Sequence, residues 1–515
     1  MEIKKSIVYG REEAANAALQ FPMEEELNLE PNMPDIERLV GQNFQFVPKQ
    51  TTRSEGKVCI QGEVEYQILY APIRGQGELA GVAGSYQVNQ CLMMETNPEW
   101  ELDVKVEISS VSVKRINSRK MSVFLLLEVK GVAYDNCQQE YIQDVTGEVE
   151  KKMGSVKTTR IMNHKRTSMA MKDVIPLPSN RPDIGKILFQ KTQLRGMEFN
   201  CVDGNLWIKA EAYLFLIYES ETEERRVEYL ELTSPLEGQV ECPECLQGEQ
   251  MICSYQTTMA KVSLAPNEDG EIRDIHLNME VEIEYEQTVE EDMEYVQDIY
   301  ALRQHLIPQE VEITARKMCC QQMFRVKVSD TFMPAGEDRL LLIYPVSSKI
   351  KLEEVEAVEG GALVEGTVEA EILYLGTANG QSPITSQLFI PFHQQIAIPE
   401  VVGDGVQEME FRITSDTVFL SANILDGTQA EVKAAVNLNL CAFEKKKIPV
   451  MMDLMEEPWE EDRRPGMVGY FVGKEDTLWK LAKENRTTVE SICQINNLKS
   501  EELTSGMQIL ICQSL

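Results

Sequence analysis

Apolar and polar residues alternate over long stretches of this chain, which predicts β-strands. Between 275 and 285, every second residue is apolar and the residues between them are polar or charged. A period of two buries one face of a strand and leaves the other face in water. The same alternation recurs at 104–108 and 432–440. The chain is therefore predicted to be mainly β.

A short element containing a Pro-Asp pair occurs twice, at 32–40 and at 180–188, with an offset of 148 residues. A third copy is incomplete: Met333-Pro334 is present, but Ala335 stands in place of the aspartate. Proline is favoured in the first helical turn and an acid at a helix N-terminus. The pattern predicts a short helix in which Asp35 and Asp183 begin the helix, and a catalytic role for these two acids is the less favoured interpretation.

A second repeated element is a strand pattern, present at 60–70, 208–218 and 364–374. Residues 141–145 also resemble residues 295–299. Repetition at this spacing indicates tandem copies of one structural unit. We predict three related β-rich domains at 1–155, 156–315 and 316–448, of which the third is divergent.

The C-terminal residues combine the two periodicities. Short strand patterns at 470–472 and 508–511 enclose two helical patterns, which predicts a β-α-α-β unit within 469–515. Asp476 or Thr477 is a candidate cap for the first helix, and Thr487 or Thr488 for the second. The preceding residues, 449–468, are rich in Met, Glu and Pro and predict an exposed acidic linker. Trp459 in this segment is either part of a loose tether or a partner-docking residue.

This C-terminal unit resembles a LysM domain. The match rests on fixed spacings at Tyr470, Val472, Asp476, Thr477, Leu478, Trp479, Ala482, Val489, Ile492, Asn496, Leu498, Leu503, Gly506, Gln508, Leu510 and Ile511. LysM domains commonly bind N-acetylglucosamine polymers such as peptidoglycan. Two positions depart from the pattern, because Glu475 and Arg486 stand where glycine is usual. Trp479 is expected to pack in the core instead of stacking on a sugar.

The resemblance also implies a partner-binding or glycan-binding groove between two loops. One wall would consist of Lys474, Glu475, Asp476 and Thr477, and the other of Leu498, Lys499, Ser500, Glu501, Glu502 and Leu503.

The three repeats resemble the SPOCS domain of spore-forming Firmicutes. The shared features are the Pro-Asp-Ile element and the strand that ends in Leu-Tyr, as at 62–70. Three SPOCS-like repeats and a LysM domain resemble the SipL-like family of spore-morphogenesis proteins. That resemblance implies a cytoplasmic protein of the mother cell at the forespore surface. It also implies binding to a coat-morphogenetic ATPase of the SpoIVA type through the LysM domain.

Charge and targeting signals agree with this interpretation. The chain has 515 residues and a formal net charge of −34, with 84 acidic and 50 basic side chains. Nucleic acids and anionic membranes bind basic surfaces, so neither is an expected partner. Because the sequence shows no secretory signal and no membrane span, we expect a cytosolic location. The 12 cysteines, among them Cys59 and Cys91, are then expected to be reduced.

Motifs for catalysis and metal binding are sparse in the sequence. There is no phosphate-binding loop, no dinucleotide-binding glycine pattern and no zinc helix, and the 4 histidines are scattered. Cys242-Pro-Glu-Cys245, with Cys253 nearby, has a metal-like spacing, but a fourth ligand is not evident. We predict no cofactor and no resident metal, with loop thiols favoured over a zinc site or a redox pair.

Three hypotheses remain at this point. The favoured one is a non-enzymatic scaffold or adaptor that binds a protein partner. The alternative is a peptidoglycan or N-acetylglucosamine anchor that acts through the LysM groove. The third, an enzyme with its activity in one repeat, has no motif to support it.

Overall fold

The computed structural model describes residues 1–243, 245–246, 251–334, 339–377, 382–399, 401, 408–458, 466–498, 500 and 502–512. Within these residues, the chain up to 458 forms antiparallel strands and their connections, and both helices lie near the C-terminus. The prediction of a mainly β chain with a small β-α-α-β domain at its end is confirmed.

Each repeat forms a β-sandwich made of two three-stranded sheets, extended by a two-stranded ribbon. In repeat 1 the sheets are β2-β7-β6 and β3-β4-β5, and the ribbon is β1-β8. The strands are β1 (Glu2–Tyr9), β2 (Glu12–Asn28), β3 (Ile36–Ser54), β4 (Lys57–Pro72), β5 (Ala80–Met93), β6 (Glu101–Asn117), β7 (Lys120–Asp135) and β8 (Gln138–Thr146).

Repeats 2 and 3 have the same strand order, but their ribbons are continuous with their sandwiches. Repeat 2 consists of β9 (Val149–Pro176), β10 (Ile184–Val202), β11 (Asn205–Ser220), β12 (Val227–Glu241), β13 (Met251–Pro266) and β14 (Ile272–Ala301). Repeat 3 consists of β15 (Gln304–Phe332), β16 (Leu340–Val358), β17 (Gly361–Gly376), β18 (Ile384–Ala397), β19 (Met409–Ile424) and β20 (Ala430–Pro458). The sheets are β10-β11-β12 with β13-β14-β9, and β16-β17-β18 with β15-β20-β19.

The repeated strand motif owes its composition to burial on both faces. In β4, Ile68 and Tyr70 pack inside the sandwich of repeat 1, while Leu69 between them packs against the other two repeats. The equivalent residues Ile217 and Leu373 join the same inter-repeat core. A strand buried on both faces is a continuous apolar run, which explains why the three copies end in Ile-Leu-Tyr, Leu-Ile-Tyr and Ile-Leu-Tyr.

The three repeats contact one another in a closed arrangement. The side chain of Asn43 donates to the carbonyl of Gln190 in repeat 2 at 3.2 Å. Gln193 in turn donates to the carbonyl of Ser348 in repeat 3 at 2.7 Å. Arg38 closes the ring with a 3.1 Å hydrogen bond to a carbonyl of repeat 3, that of Pro383.

The ribbons form a second inter-repeat core. Side chains from β8, β14, β15 and β20 pack together, and the buried members are Ile142, Val145, Val296, Ile299, Ala301, Leu306, Met451 and Leu454. Each ribbon also carries an aspartate that accepts a hydrogen bond from the next backbone N–H, at Asp144, Asp298 and Asp453. The repeats are thus joined through both their sheets and their ribbons.

The Pro-Asp elements are not helices, so that prediction is wrong. Asp35 and Asp183 stand at the turns that enter β3 and β10. Each carboxylate pairs with an arginine, Arg119 or Arg273, and the same guanidinium binds backbone carbonyls of the turn. The hydroxyl of Tyr70 also donates to the carbonyl of Pro34 at 3.0 Å. The aspartates therefore hold a turn together.

The predicted acidic linker is wrong for its first ten residues. Residues 449–458 belong to β20, where they pair with β15, and Met451 and Leu454 are buried in the ribbon core. The apolar side chains of this Met-rich segment have a partner surface, which overrides the composition signal. Trp459 and the residues up to 465 lie outside the described residues.

The domain limits remain predictions. The limits expected at 155/156 and 315/316 fall inside β9 and β15, and the limit expected at 448/449 falls inside β20. We propose that the repeats meet instead at the short connections 147–148 and 302–303, because each ribbon pairs within its own repeat.

One expectation about cysteine is also wrong. Cys59 and Cys91 occupy directly opposed positions on β4 and β5 and form a disulfide, with their Cα atoms 4.0 Å apart. Directly opposed residues of an antiparallel pair have the closest side chains in a sheet. Cross-strand register, which sequence spacing does not show, brings these two thiols together.

A buried carboxylate links all three repeats. Glu286 in β14 is 6 % exposed, and its two oxygens bind Arg11 of repeat 1 and Arg412 of repeat 3, each at 2.9 Å. Arg412 also contacts Glu410 at 3.3 Å, and Glu410 binds Arg316 at 2.6 Å. One buried carboxylate of repeat 2 therefore bridges half-buried arginines of repeats 1 and 3.

A histidine adds a second link between repeats 1 and 2. The two ring nitrogens of His164 contact Glu101 of repeat 1 at 2.5 Å and Glu284 at 2.8 Å. Burial lowers the pKa of His164, but the hydrogen bonds to the two glutamates outweigh it and raise the pKa to about 9. His164 holds the pKa of Glu284 down to about 2. Both ring nitrogens therefore act as donors at neutral pH.

We expect Glu286→Gln to destabilise the chain by about 3 kcal/mol, because removing one partner of a buried ion pair leaves uncompensated charge. Urea unfolding measures the loss. The matched control is Glu237→Gln, whose ion pair with Lys209 is exposed and whose loss should cost less than about 0.5 kcal/mol. Equal losses in the two variants would contradict the role given to Glu286.

The contribution of His164 should depend on pH. A pKa raised from 6.5 to about 9 in the folded state gives stability that is fully present below the unfolded pKa and is lost as pH rises through about 9. The melting-temperature difference between the wild-type chain and His164→Gln should therefore be largest near pH 6 and small near pH 10. A difference that stays constant over this range would contradict the assignment.

Candidate LysM binding site

The C-terminal domain has the predicted β-α-α-β order. Its elements are β21 (Met467–Phe471), α1 (Leu478–Glu484), α2 (Val489–Asn496) and β22 (Gln508–Cys512). Thr477 caps α1 and Thr488 caps α2, so each open choice between two capping residues is resolved. The core includes Leu478, Leu481 and Ile492, as the helical spacing predicts.

The first predicted wall divides into structural and exposed residues. Asp476 accepts hydrogen bonds from the hydroxyl of Tyr470 at 2.9 Å and from the N–H of Gly473 at 2.8 Å. The N–H of Gly473 and the Tyr470 hydroxyl hold the pKa of Asp476 below its ordinary value. Because Thr477 is a helix cap, the exposed Lys474 and Glu475 are the residues of this wall that remain available to a ligand.

The second predicted wall divides in the same way. Leu498 and Leu503 are half-buried against the domain core. Ser500 and Glu502 are exposed, while Lys499 and Glu501 lie outside the described residues. Whether the two walls bind a protein or a glycan stays a prediction.

The two departures from the LysM pattern lie in different environments. Glu475 is exposed at the loop before α1. Arg486 follows α1 with a φ of 52°, in the left-handed region where glycine is favoured. This left-handed backbone conformation explains why glycine is usual at position 486. Arginine adopts the same conformation here at some energetic cost.

The LysM domain docks on the ribbon of repeat 2 through α1 and the turn that follows it. The indole N–H of Trp479 donates to Asp298 at 2.7 Å, and the ammonium of Lys483 contacts the same carboxylate at 2.6 Å. Tyr300 packs edge-on against Trp479, with ring centroids 5.1 Å apart. The hydroxyl of Tyr300 donates to the carbonyl of Thr487 at 2.8 Å.

Sequence reasoning missed this docking contact. Trp479 was expected in the core, and it does contact the LysM core, but its polar atom is used between domains. The available signal was the resemblance of 141–145 to 295–299, which marks Asp298 as the equivalent of Asp144. Asp144 forms an ion pair with Lys151, whereas Asp298 binds Trp479 and Lys483 of the LysM domain. Lys474 and Glu475 stay exposed in the docked arrangement.

Cys242 and Cys245 are fully buried, in the same core cluster as Cys201 and Met251. They lie in the loop that follows β12, as the prediction of loop thiols has it, and their side chains pack into the interior. Burial raises the pKa of Cys245, which keeps it as a thiol. Within the part of the chain that the structure describes, no three His, Cys, Asp or Glu residues are arranged to hold a metal ion.

Comparison with protein families gives two matches. Residues 35–116 and 342–425 match the family model described as SipL, SPOCS domain, and residues 470–511 match the LysM domain. The chain carries SPOCS domains of the SipL type and a C-terminal LysM domain. The resemblance expected from sequence is thereby confirmed. No curated protein and no solved structure matches the chain.

The two SPOCS matches cover corresponding parts of repeats 1 and 3, from the turn before β3 or the start of β16 to the strand equivalent to β6. Repeat 2 lies outside the matched residues but has the same sheets in the same order. The divergence predicted for repeat 3 therefore does not remove it from the family match.

These families define a role in coarse terms. SPOCS and LysM domains are binding or adaptor domains, and the SipL type connects the chain with sporulation. Neither α1 nor α2, nor any other helix in the described ranges, has the length and apolar character required to span a membrane.

We expect Asp298→Ala to release the LysM domain from repeat 2, because one carboxylate binds both Trp479 and Lys483. Hydrogen exchange of α1 should accelerate several-fold, and exchange in the sandwich strand β11 should not change. Asp269→Ala, in an exposed turn of repeat 2, removes the same charge and should leave α1 unaffected. Unchanged exchange of α1 in the Asp298 variant would contradict the docking contact.

Proposed function

We propose that the chain is a non-enzymatic scaffold of spore-coat assembly that binds a SpoIVA-type coat ATPase through its LysM domain. In this proposal the chain is cytoplasmic, in the mother cell, and localises to the forespore surface. The coarser role, a sporulation-related adaptor, rests on the SPOCS and LysM matches. The finer role rests on the resemblance to SipL-like proteins and on the arrangement of the LysM domain.

The observation that best supports an adaptor is the docked LysM domain. Its contacts with repeat 2 use Trp479, Lys483 and Thr487. The loop before α1 is not among these contacts, and Lys474 and Glu475 remain exposed. A partner bound at this loop would therefore be held at a fixed position relative to the three repeats.

The charge of the exposed loop favours a protein partner. Glu475 replaces a usual glycine, and Glu502 is exposed on the other wall. A glycine allows close approach of backbone to a sugar, whereas a carboxylate adds bulk and charge. Acidic groups at the rim of an interface steer a partner that has a basic patch.

The second candidate function is a peptidoglycan anchor. The LysM match supports it directly, because LysM domains commonly bind N-acetylglucosamine polymers. It places the ligand in the same groove, so the two candidates are distinguished by the ligand that is retained.

The test uses the full chain immobilised on resin in two arms. One arm receives the purified coat ATPase, and the other receives purified peptidoglycan fragments. Retention of the ATPase without glycan supports the adaptor function. Retention of glycan without the ATPase would overturn it and support the anchor.

Within the adaptor proposal, we expect Glu475→Lys to weaken ATPase binding by at least tenfold while the melting temperature stays unchanged. Glu268→Lys, in an exposed turn of repeat 2, is the matched charge reversal and should bind normally. Ile492→Ala removes a fully buried side chain and should unfold the LysM domain, at a cost of about 2–5 kcal/mol. Titration calorimetry and circular dichroism separate these effects, and equal weakening by both charge reversals would refute the loop as the interface.

A further inference from the structure

A large cavity opens where the ribbons of the three repeats join their sandwiches. Its volume is about 1790 Å³, and residues of all three repeats line it, including 8–13, 158–162 and 314–316. Small-molecule sites usually enclose about 300–1,000 Å³. The size of this cavity suits a segment of polypeptide better than a metabolite.

The cations that line the cavity are already paired. Arg11 and Arg412 bind Glu286, and Arg316 and Lys445 bind Glu410. Lys105 and Arg160 contact Asp103 at 3.6 Å and Glu291 at 3.4 Å. His164, which also lines the cavity, lies between Glu101 and Glu284. An anionic ligand would have to break one of these pairs to gain a partner.

Three other carboxylates of the lining take no part in these ion pairs. Glu12, Glu13 and Glu198 are exposed, and no lysine or arginine of the described residues forms an ion pair with them. Glu12 and Glu13 come from repeat 1, and Glu198 comes from repeat 2. The charge that is available to a ligand is therefore negative.

The same walls present large apolar side chains to solvent. Tyr9 of repeat 1 is 48 % exposed, Met162 of repeat 2 is 47 % exposed and Met323 of repeat 3 is 52 % exposed. Methionine is flexible and adapts to varied apolar partners. All three line the same cavity, so the apolar side chains of a bound segment would meet them there.

We propose that this cavity binds a basic, apolar-containing peptide segment of a partner protein. The lysines or arginines of the segment pair with Glu12, Glu13 and Glu198. Its apolar side chains pack on Tyr9 and Met323. The site belongs to the SPOCS repeats, is independent of the LysM groove and does not rest on the function proposed for that groove.

The test measures binding of a fluorescent 14-residue peptide of alternating Lys and Leu to the full chain by anisotropy, at physiological salt. We expect the triple variant Glu12→Gln, Glu13→Gln, Glu198→Gln to bind at least tenfold more weakly. The matched control is Glu55→Gln, Glu223→Gln, Glu268→Gln, three exposed acids outside the cavity, which should change affinity less than twofold. A Glu-Leu peptide of the same length should not bind.

A benzophenone group on the same Lys-Leu peptide locates the bound segment, because photoactivated benzophenone reacts readily with methionine side chains. Mass spectrometry should find the crosslink at Met162 or Met323. Absence of binding, equal weakening by the two triple variants or crosslinks only at methionines outside the cavity would each overturn the proposal.

Discussion

The pairing of Glu286 with two arginines is the interaction on which the arrangement of the repeats depends most. A buried carboxylate is costly to desolvate and is retained where its partners are fixed. Here the partners, Arg11 and Arg412, come from repeats 1 and 3, while Glu286 belongs to repeat 2. The charges specify which surfaces meet, and the apolar cores at the sheets and ribbons supply most of the burial.

Equivalent positions of the repeats have the same role in the strand motif but different partners in the ribbons. The same strand motif occurs three times and buries an inner face in its own sandwich and an outer face between repeats. The ribbon aspartates are also equivalent, but Asp144 binds a lysine of the neighbouring repeat and Asp298 binds the LysM domain. One repeated position has thus become the attachment point of a different domain, which fixes the orientation of that domain.

Local patterns predicted the elements better than the contacts between them. Alternation revealed the strands, and spacing revealed the LysM helices with Leu478 and Ile492 in the core. The Pro-Asp turn was misread as a helix, because Arg119, which stabilises it, lies 84 residues away in sequence. The disulfide of Cys59 with Cys91, the strand at 449–458 and the docking of Trp479 on Asp298 all depend on partners remote in sequence. Of the predicted groove, residue type and position limited the cap of α1 to Asp476 or Thr477, and the structure selects Thr477. The ligand of the groove did not follow from the sequence.

Zero-length carbodiimide crosslinking of the monomeric full chain tests the closed arrangement most directly, because the reagent joins only a lysine and a carboxylate in contact. Lysine-carboxylate pairs connect repeat 1 with repeat 2 (Lys261 with Glu65, and Lys151 with Asp144), repeat 2 with repeat 3 (Lys191 with Glu371) and repeat 1 with repeat 3 (Lys5 with Asp453). Another pair, Lys483 with Asp298, connects the LysM domain to repeat 2. The account predicts that mass spectrometry finds crosslinks for all three pairs of repeats within one chain. Crosslinks confined to residues of the same repeat would contradict it.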